Sequence, residues 1–139
     1  MVQAEDAPLG YLLYRVAAIL RPEVSAVLGP VGLTLPEFVC LRLLSVSPGL
    51  SSAELSRHVS VTPQAMNTVL RKLEDLGAVA RPKSVSSGRA LPATLTPHGS
   101  ALLKRAETAV NGADARILAK LTQSQQRDFK RMLAKLGSG

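Results

Sequence analysis

Apolar residues recur at spacings of three and four through both ends of the chain, and polar capping residues stand before several of these runs. This period is that of an amphipathic helix with one buried face. A T-x-x-E sequence from Thr34 to Glu37 predicts a further helix through Leu44. The other outer helices are predicted from Leu9 to near Arg21-Pro22, resuming through Val27 and Leu28; from about Pro97 to about Leu121; and after a cap at Thr122 to Gln125.

The middle of the chain predicts two helices close together. Ser51 to Glu54 has the S-x-x-E form of a capping box, and Thr62 then caps a second helix with Pro63 at its first position, where a missing N–H costs nothing. Gly77 is expected to end this second helix. The apolar face of the second helix is predicted to comprise Met66, Val69, Leu70, Leu73 and Leu76.

A β-hairpin is predicted after this second helix. Ala78 to Arg81 and Leu91 to Leu95 are the two strand candidates, joined by a small, polar, glycine-bearing tip. Pro82 and Pro92 confine both strands to exposed edges, as in a two-stranded wing. Two short helices followed by such a hairpin predict a winged helix-turn-helix.

The face of the second helix opposite its apolar stripe carries amides, a hydroxyl and two cations. Such groups can reach base edges and phosphates from a helix in the major groove of DNA. The alternative is an ordinary solvated polar face. The residues concerned are Gln64, Asn67, Thr68, Arg71 and Lys72.

Charge favours the nucleic-acid interpretation. The net charge is +7, and the stretch from Arg71 to Arg105 holds seven Lys and Arg against two acids. This clustering on a shaped module predicts binding to a polyanion, and favours duplex DNA over RNA or an anionic membrane. Two Tyr, two Phe and no Trp leave few stacking platforms for single strands.

Four stretches of the chain follow one another in a recognisable order: Leu33-Thr34-Leu35-Pro36-Glu37-Phe38, Leu50-Ser51-Ser52-Ala53-Glu54-Leu55, Leu70-Arg71-Lys72-Leu73-Glu74-Asp75-Leu76-Gly77 and Leu95-Thr96-Pro97-His98-Gly99. In this order and at this spacing they resemble the MarR family of bacterial transcriptional regulators, over nearly the whole chain. The family usually carries an Asp two residues before the wing-tip arginine that matches Arg89, and Ser87 stands there instead.

The resemblance implies a mainly α fold with a small two-stranded β-wing, in which the first helix and the last two form a homodimer. The long apolar stripes independently favour self-association. We therefore predict a single domain over residues 1–139, with the winged helix-turn-helix at about 34–96 and dimerisation helices at about 8–29 and 97–137. The expected partner is a pseudo-palindromic DNA duplex, whose occupation would repress transcription.

Individual roles can be assigned on this basis. We expect Gln64, Asn67 and Thr68 at base edges, and Thr62 and Arg71 at phosphates. Arg89 is expected in the adjacent minor groove with Lys83 as a supporting phosphate contact, and Pro63 and Lys72 complete the predicted DNA-binding set.

An effector is also implied by the resemblance: a small aromatic or phenolic acid bound between the dimer helices and the DNA-binding lobe. Tyr11, Tyr14 and Arg15 could clamp its ring and carboxylate. The alternative is that both tyrosines pack at the dimer interface while Arg15 is solvated.

Other functions are less favoured. A winged-helix module that docks an acidic protein is one alternative, and a redox sensor using Cys40 is another, although this single cysteine lies in an apolar helical stretch typical of the core. His58 and His98 stand far from metal-ligand spacing, so we expect no metal, no cofactor and no enzyme. An acidic start, no apolar run of about 20 residues and a lone cysteine predict a cytoplasmic protein outside the membrane.

Overall fold

Helices dominate the computed structural model, which describes residues 4–83 and 91–138. Over these residues the sheet is two-stranded and antiparallel, so the predicted fold class, mainly α with a small β-hairpin, is confirmed. In chain order the elements are α1 (Leu9–Leu28), α2 (Leu35–Val46), α3 (Ser52–Val59), α4 (Pro63–Asp75), β1 (Val79–Ala80), β2 (Thr94–Leu95), α5 (Pro97–Leu118) and α6 (Gln123–Gly137).

The predicted capping residues begin their helices as expected. The side chains of Thr34, Ser51 and Thr122 each accept a hydrogen bond from the backbone N–H three residues on. The side chain of that later residue in turn accepts a hydrogen bond from the backbone N–H of the capping residue. Thr62 and Thr96 cap α4 and α5, with proline at the first helical position. Each cap satisfies a backbone N–H that would otherwise lack a partner, which contributes about 1 kcal/mol.

Helix α1 continues through Pro22, where the sequence predicted an interruption. Proline cannot donate to the carbonyl of Ala18, a loss that disfavours helix by roughly 3 kcal/mol. Both Ala18 and Pro22 are exposed, so water can bind the carbonyl. Beyond the proline, Val24 and Leu28 are buried, and this packing holds the second half of the helix in line with the first.

The core lies where α2, α3 and α4 meet α1 and α5. Its largest fully buried side chains include Leu28 of α1, Leu41 and Leu44 of α2, Leu55 of α3 and Leu70 of α4. Burial of one such leucine contributes roughly 1.5–3 kcal/mol, so this cluster fixes the orientation of α4. Of the predicted apolar face of α4, Met66, Leu70 and Leu73 are buried, whereas Leu76 at the end of the helix is 41% exposed.

The hairpin strands are shorter than predicted. Within the described residues, strand pairing is limited to Val79↔Leu95 and Ala80↔Thr94, because Ala93 exchanges backbone hydrogen bonds with the loop before α3 instead. The N–H of Ala93 donates to the Leu50 carbonyl and its own carbonyl accepts from Gly49, both at 2.9 Å. The returning segment thus pairs with β1 at Thr94 and Leu95 and with the loop before α3 at Ala93. The alternation of apolar and polar residues cannot reveal this second partner.

The start of α5 packs directly on this hairpin. A Cβ built at Gly99 would lie 1.9 Å from the carbonyl oxygen of Ala78, so only glycine permits this approach. The other end of α5 is Leu118, three residues before the predicted end. Gln126 of α6 donates to the carbonyls of Leu118 and Leu121 at 2.9 and 3.1 Å, which satisfies the end of α5 and turns the chain into α6.

Large apolar side chains remain exposed on the outer helices. On α1 they include Leu9, Tyr14 and Ile19, at 60%, 74% and 54% exposure, and on α6 Met132 and Leu136, at 57% and 70%. Every α6 side chain that the structure describes is exposed or half-buried. Isolated apolar residues on a surface are ordinary, but two neighbouring stripes of this size mark an interaction surface.

Within residues 4–83 and 91–138, no single helix is long and apolar enough to cross a membrane. A 3₁₀ helix, Gly29–Val31, continues α1, and this stretch (Leu9–Val31) together with α2 (Leu35–Val46) is long and apolar enough by length and composition only, with a bend of 80° between the two.

Candidate nucleic-acid interface

Helix α4 presents the polar face that its sequence predicted. Gln64, Thr68 and Arg71 are exposed along it, and Asn67 is half-buried between them. Thr62 at the N-cap accepts from the Ala65 N–H at 3.1 Å, which leaves its hydroxyl proton for another partner. A helix N-terminus carries a partial positive charge, so this end of α4 favours an anion such as a phosphate.

Thr68 is partly committed within the helix. Its hydroxyl donates to the carbonyl of Gln64 at 3.2 Å, which leaves the oxygen lone pairs of this exposed side chain available. This side chain can therefore accept a hydrogen bond from a base or touch a thymine methyl group without giving up its internal bond.

The two adjacent cations of α4 occupy different environments. Arg71 is exposed, whereas the Lys72 ammonium lies 3.1 Å from the Glu37 carboxylate at the start of α2. The Glu37 side chain is only 6% exposed, and it also accepts from the backbone N–H of Thr34. Removing the cation would leave this carboxylate without its counter-charge, so Lys72 holds α4 against α2. Contact of Lys72 with DNA stays a prediction. It would require the ammonium group to bind a phosphate and the Glu37 carboxylate at the same time.

Arg81, directly after β1, joins the hairpin to α4. Its guanidinium donates to Glu74 through Nε at 3.0 Å and Nη2 at 2.7 Å, and to Asn67 Oδ1 through Nη1 at 3.3 Å. The side chain is 13% exposed. Sequence reasoning counted Arg81 only as one positive charge in a basic stretch, because its partners lie seven and fourteen residues away.

The wing is described up to Lys83, which is exposed. Its predicted phosphate contact is compatible with that exposure. Arg89 and Ser87, the predicted wing-tip pair, lie outside the described residues.

The three predicted effector residues are not brought into one clamp. Arg15 donates to the Tyr11 hydroxyl at 3.0 Å, and its guanidinium lies 5.9 Å from the Tyr11 ring centroid. Tyr14 instead borders a hollow along α1 with Leu13 and Arg21. The hydrogen bond and the cation–π contact both favour a Tyr11–Arg15 pair on the helix surface.

A groove that the sequence did not predict lies between α1 and the helix-turn-helix. Its volume is about 580 Å³, and Arg21 and His58 supply charged or titratable groups at its wall. No local pattern marks this groove, because three separate elements form it. The remaining lining residues are Leu35, Pro36, Val39, Val59, Ser60 and Val61.

Cys40 is fully enclosed in the core of α2. Burial raises the pKa of its thiol to about 12, with Glu37 acting in the same direction and Arg81 opposing. A thiol that is protonated and shielded reacts slowly with oxidants, which favours a packing role. His58 and His98 are exposed, and the part of the chain that the structure describes holds no cluster of metal-ligating residues.

Comparison with known proteins gives consistent matches. The MarR family model matches residues 33–91. The HTH-type transcriptional repressor Rv2887 of Mycobacterium tuberculosis is 80% identical over 135 residues, 97% of each chain. Crystal structures of this MarR family protein in complex with DNA and with salicylic acid give TM-scores of 0.80 and 0.79 at 75% and 79% identity. They cover 96% of the present chain, and it covers 100% and 99% of theirs. At this identity and coverage, the chain belongs to the MarR family.

Proposed function

We propose that this protein is a transcriptional repressor that binds a pseudo-palindromic DNA duplex as a homodimer and releases it when a small aromatic acid binds. The observation that carries this function is the exposed polar face of α4, held in place by buried leucines and flanked by the hairpin. A relative 80% identical to this chain is named a repressor and was crystallised with DNA, which supports the same activity here.

In this function α4 lies in the major groove. Gln64, Asn67 and Thr68 contact base edges, while Thr62 and Arg71 anchor the helix to phosphates. Pro63 begins the helix at a position where an N–H would have no partner within the helix, and its fixed φ favours the first helical turn. Lys83 adds a phosphate contact from the wing, and Arg89 enters the neighbouring minor groove.

The homodimer follows from the apolar stripes of α1 and α6. Because these stripes are exposed in one chain, a second copy is the partner that removes them from water. A two-fold dimer presents two copies of α4, and these match two half-sites about one helical turn apart. Binding to DNA also requires access to it, so we place the protein in the cytoplasm.

We assign the effector to the groove between α1 and the helix-turn-helix. Arg21 can bind the carboxylate of an aromatic acid, and Val39, Val59 and Val61 can cover its ring. The salicylic acid complex of the relative supports this ligand class. Ser60 in the groove has a left-handed backbone, φ 58°, in the turn that leads directly to Thr62. A ligand that contacts this turn can therefore shift α4, provided that it binds the free and DNA-bound states with different affinity.

Footprinting on the DNA upstream of the protein's own gene tests this function. A bounded, two-fold symmetric footprint that weakens with salt and is lifted by salicylate is the expected result. An acidic protein partner would instead leave that DNA unprotected, so absence of a footprint would favour the interaction-module alternative.

The effector site is tested by Arg21→Ala. This variant should keep its affinity for DNA but require more salicylate for release, because the groove loses its cation. Arg15→Ala is the matched control on the same helix, outside the groove. If Arg15→Ala alone weakens the response to salicylate, the ligand binds at the Tyr11–Arg15 pair instead.

A further inference from the structure

Arg81 fixes which atoms of Asn67 can meet DNA. The guanidinium of Arg81 has only donors, so the prong of the Asn67 amide that faces it must be the oxygen. The observed contact, Nη1 to Oδ1 at 3.3 Å, has this arrangement. The reverse amide orientation would place two donors against each other. Asn67 therefore presents its Nδ2 donors away from Arg81.

Arg81 is itself held in place. Two of its nitrogens share one oxygen of Glu74, which lies two helical turns beyond Asn67 on the same side of α4. With both ends of the guanidinium occupied and its side chain 13% exposed, Arg81 is poorly placed to reach a phosphate. Arg71, which is exposed on the same helix, has no such constraint in the described contacts.

We propose that Arg81 is a positioning residue that holds Asn67 as a hydrogen-bond donor, so that Asn67 selects a base with an acceptor in the major groove. This inference rests on the proposed DNA-binding function. Guanine, adenine and thymine each offer such an acceptor, at N7, O6 or O4, whereas cytosine offers only the N4 donor. Asn67 should therefore reject cytosine at the base that it contacts.

This assignment differs from the pairing expected for a free asparagine. Bidentate recognition of adenine uses the amide oxygen to accept from N6 and the amide nitrogen to donate to N7. Arg81 already occupies one lone pair of that oxygen and turns it toward the hairpin. The amide nitrogen becomes the group that discriminates, so Arg81, which follows β1, sets the base preference of Asn67 on α4.

The test measures base preference rather than affinity alone. The native homodimer is incubated with a library of DNA duplexes randomised over about 20 base pairs, two helical turns, and bound sequences are counted. Arg81→Met should lose discrimination against cytosine about 5-fold, as expected for one hydrogen bond, at the same position as Asn67→Ala. Adding Arg81→Met to Asn67→Ala should then change nothing further at that position.

Two further variants sharpen the result. Asn67→Asp carries acceptors only, so its preference should move toward a base with a donor, cytosine or adenine. Arg81→Lys keeps a charge beside Glu74 but lacks the separate nitrogens with which the guanidinium contacts Glu74 and Asn67, and it replaces Arg81→Met if that variant fails to fold. Arg42→Met is the matched control, because Arg42 of α2 also forms an ion pair between helices, with Glu107 of α5 at 3.0 Å, and this pair does not involve α4. The base preferences of this variant should equal those of the native protein.

The possible failures are distinguishable. If the native protein selects no sequence, the proposed function itself is wrong. If it selects a sequence but the Arg81 variants weaken all sequences equally, or their effect adds to that of Asn67→Ala, Arg81 does not act through Asn67 and the inference is overturned.

Discussion

Replacement of Gly99 by alanine should destabilise the protein, although alanine is the better helix former. The added Cβ would lie 1.9 Å from the carbonyl oxygen and 2.8 Å from the carbonyl carbon of Ala78, and real Cβ contacts essentially never fall below 3.0 Å. The obstacle is backbone rather than a flexible side chain. Helix α5 and strand β1 must therefore separate, and overpacking of this kind costs about 1–3 kcal/mol.

The same helix provides a matched control. A Cβ at Gly112 would meet none of the described atoms within 4 Å, so Gly112→Ala should stabilise the protein by about 0.5–1 kcal/mol. The two variants share one chemical change and one helix, and their stabilities should differ by about 1–3 kcal/mol, the steric cost at Gly99. This comparison cancels the intrinsic preference of alanine for helix and leaves the steric conflict.

Urea unfolding followed by circular dichroism measures the difference. Both variants and the native protein are compared at one protein concentration, because the stability of a dimer depends on concentration. The urea concentration at the unfolding midpoint should be highest for Gly112→Ala, intermediate for the native protein and lowest for Gly99→Ala. Equal midpoints for the two variants would show that α5 and β1 do not approach this closely, and would refute the packing described for the base of the hairpin.

Four further predictions concern binding, assembly and reactivity. Gln64→Ala should relax specificity at defined operator positions, whereas Arg71→Ala should weaken all sequences and flatten the salt dependence by roughly one unit in a titration series. Arg89→Ala should lower operator affinity with the major-groove preference retained, and unchanged affinity at fixed salt would exclude this contact. Removal of residues 122–139 should give a monomer or an aggregate, and a stable dimer by light scattering would place the interface elsewhere. Cys40 should resist a thiol reagent at pH 8 until urea unfolds the chain, because its thiol is buried with a pKa of about 12.

Local chemistry made the helix starts predictable. Thr34, Ser51, Thr62 and Thr122 could be recognised because a cap and its partner lie within three residues of each other. The exposed face of α4 was predictable for a similar reason, since helical spacing separates its apolar and polar residues. These features require no knowledge of where the rest of the chain lies.

Features that depend on distant partners were not predictable. The continuity of α1 through Pro22 depends on packing against α5, and the short β2 depends on Ala93 pairing with the loop before α3. The groove between α1 and the helix-turn-helix likewise requires Arg21 and His58 to approach from separate helices. The pairing of Lys72 with Glu37 spans 35 residues and distinguishes this cation from its neighbour Arg71.

The backbone pairing of Ala93 with Gly49 and Leu50 has a consequence for how two DNA half-sites are measured. It ties the base of the hairpin to the loop before α3, and the contacts of Arg81 with Glu74 tie the same hairpin to α4. We therefore expect the base of the hairpin and α4 to move together, so that a tilt relative to α1 would displace both. In a two-fold dimer such a tilt would change the separation of the two copies of α4. The separation of the two copies of α4 could then match, or fail to match, the repeat of about 34 Å of B-DNA, with no change in the residues that contact the bases.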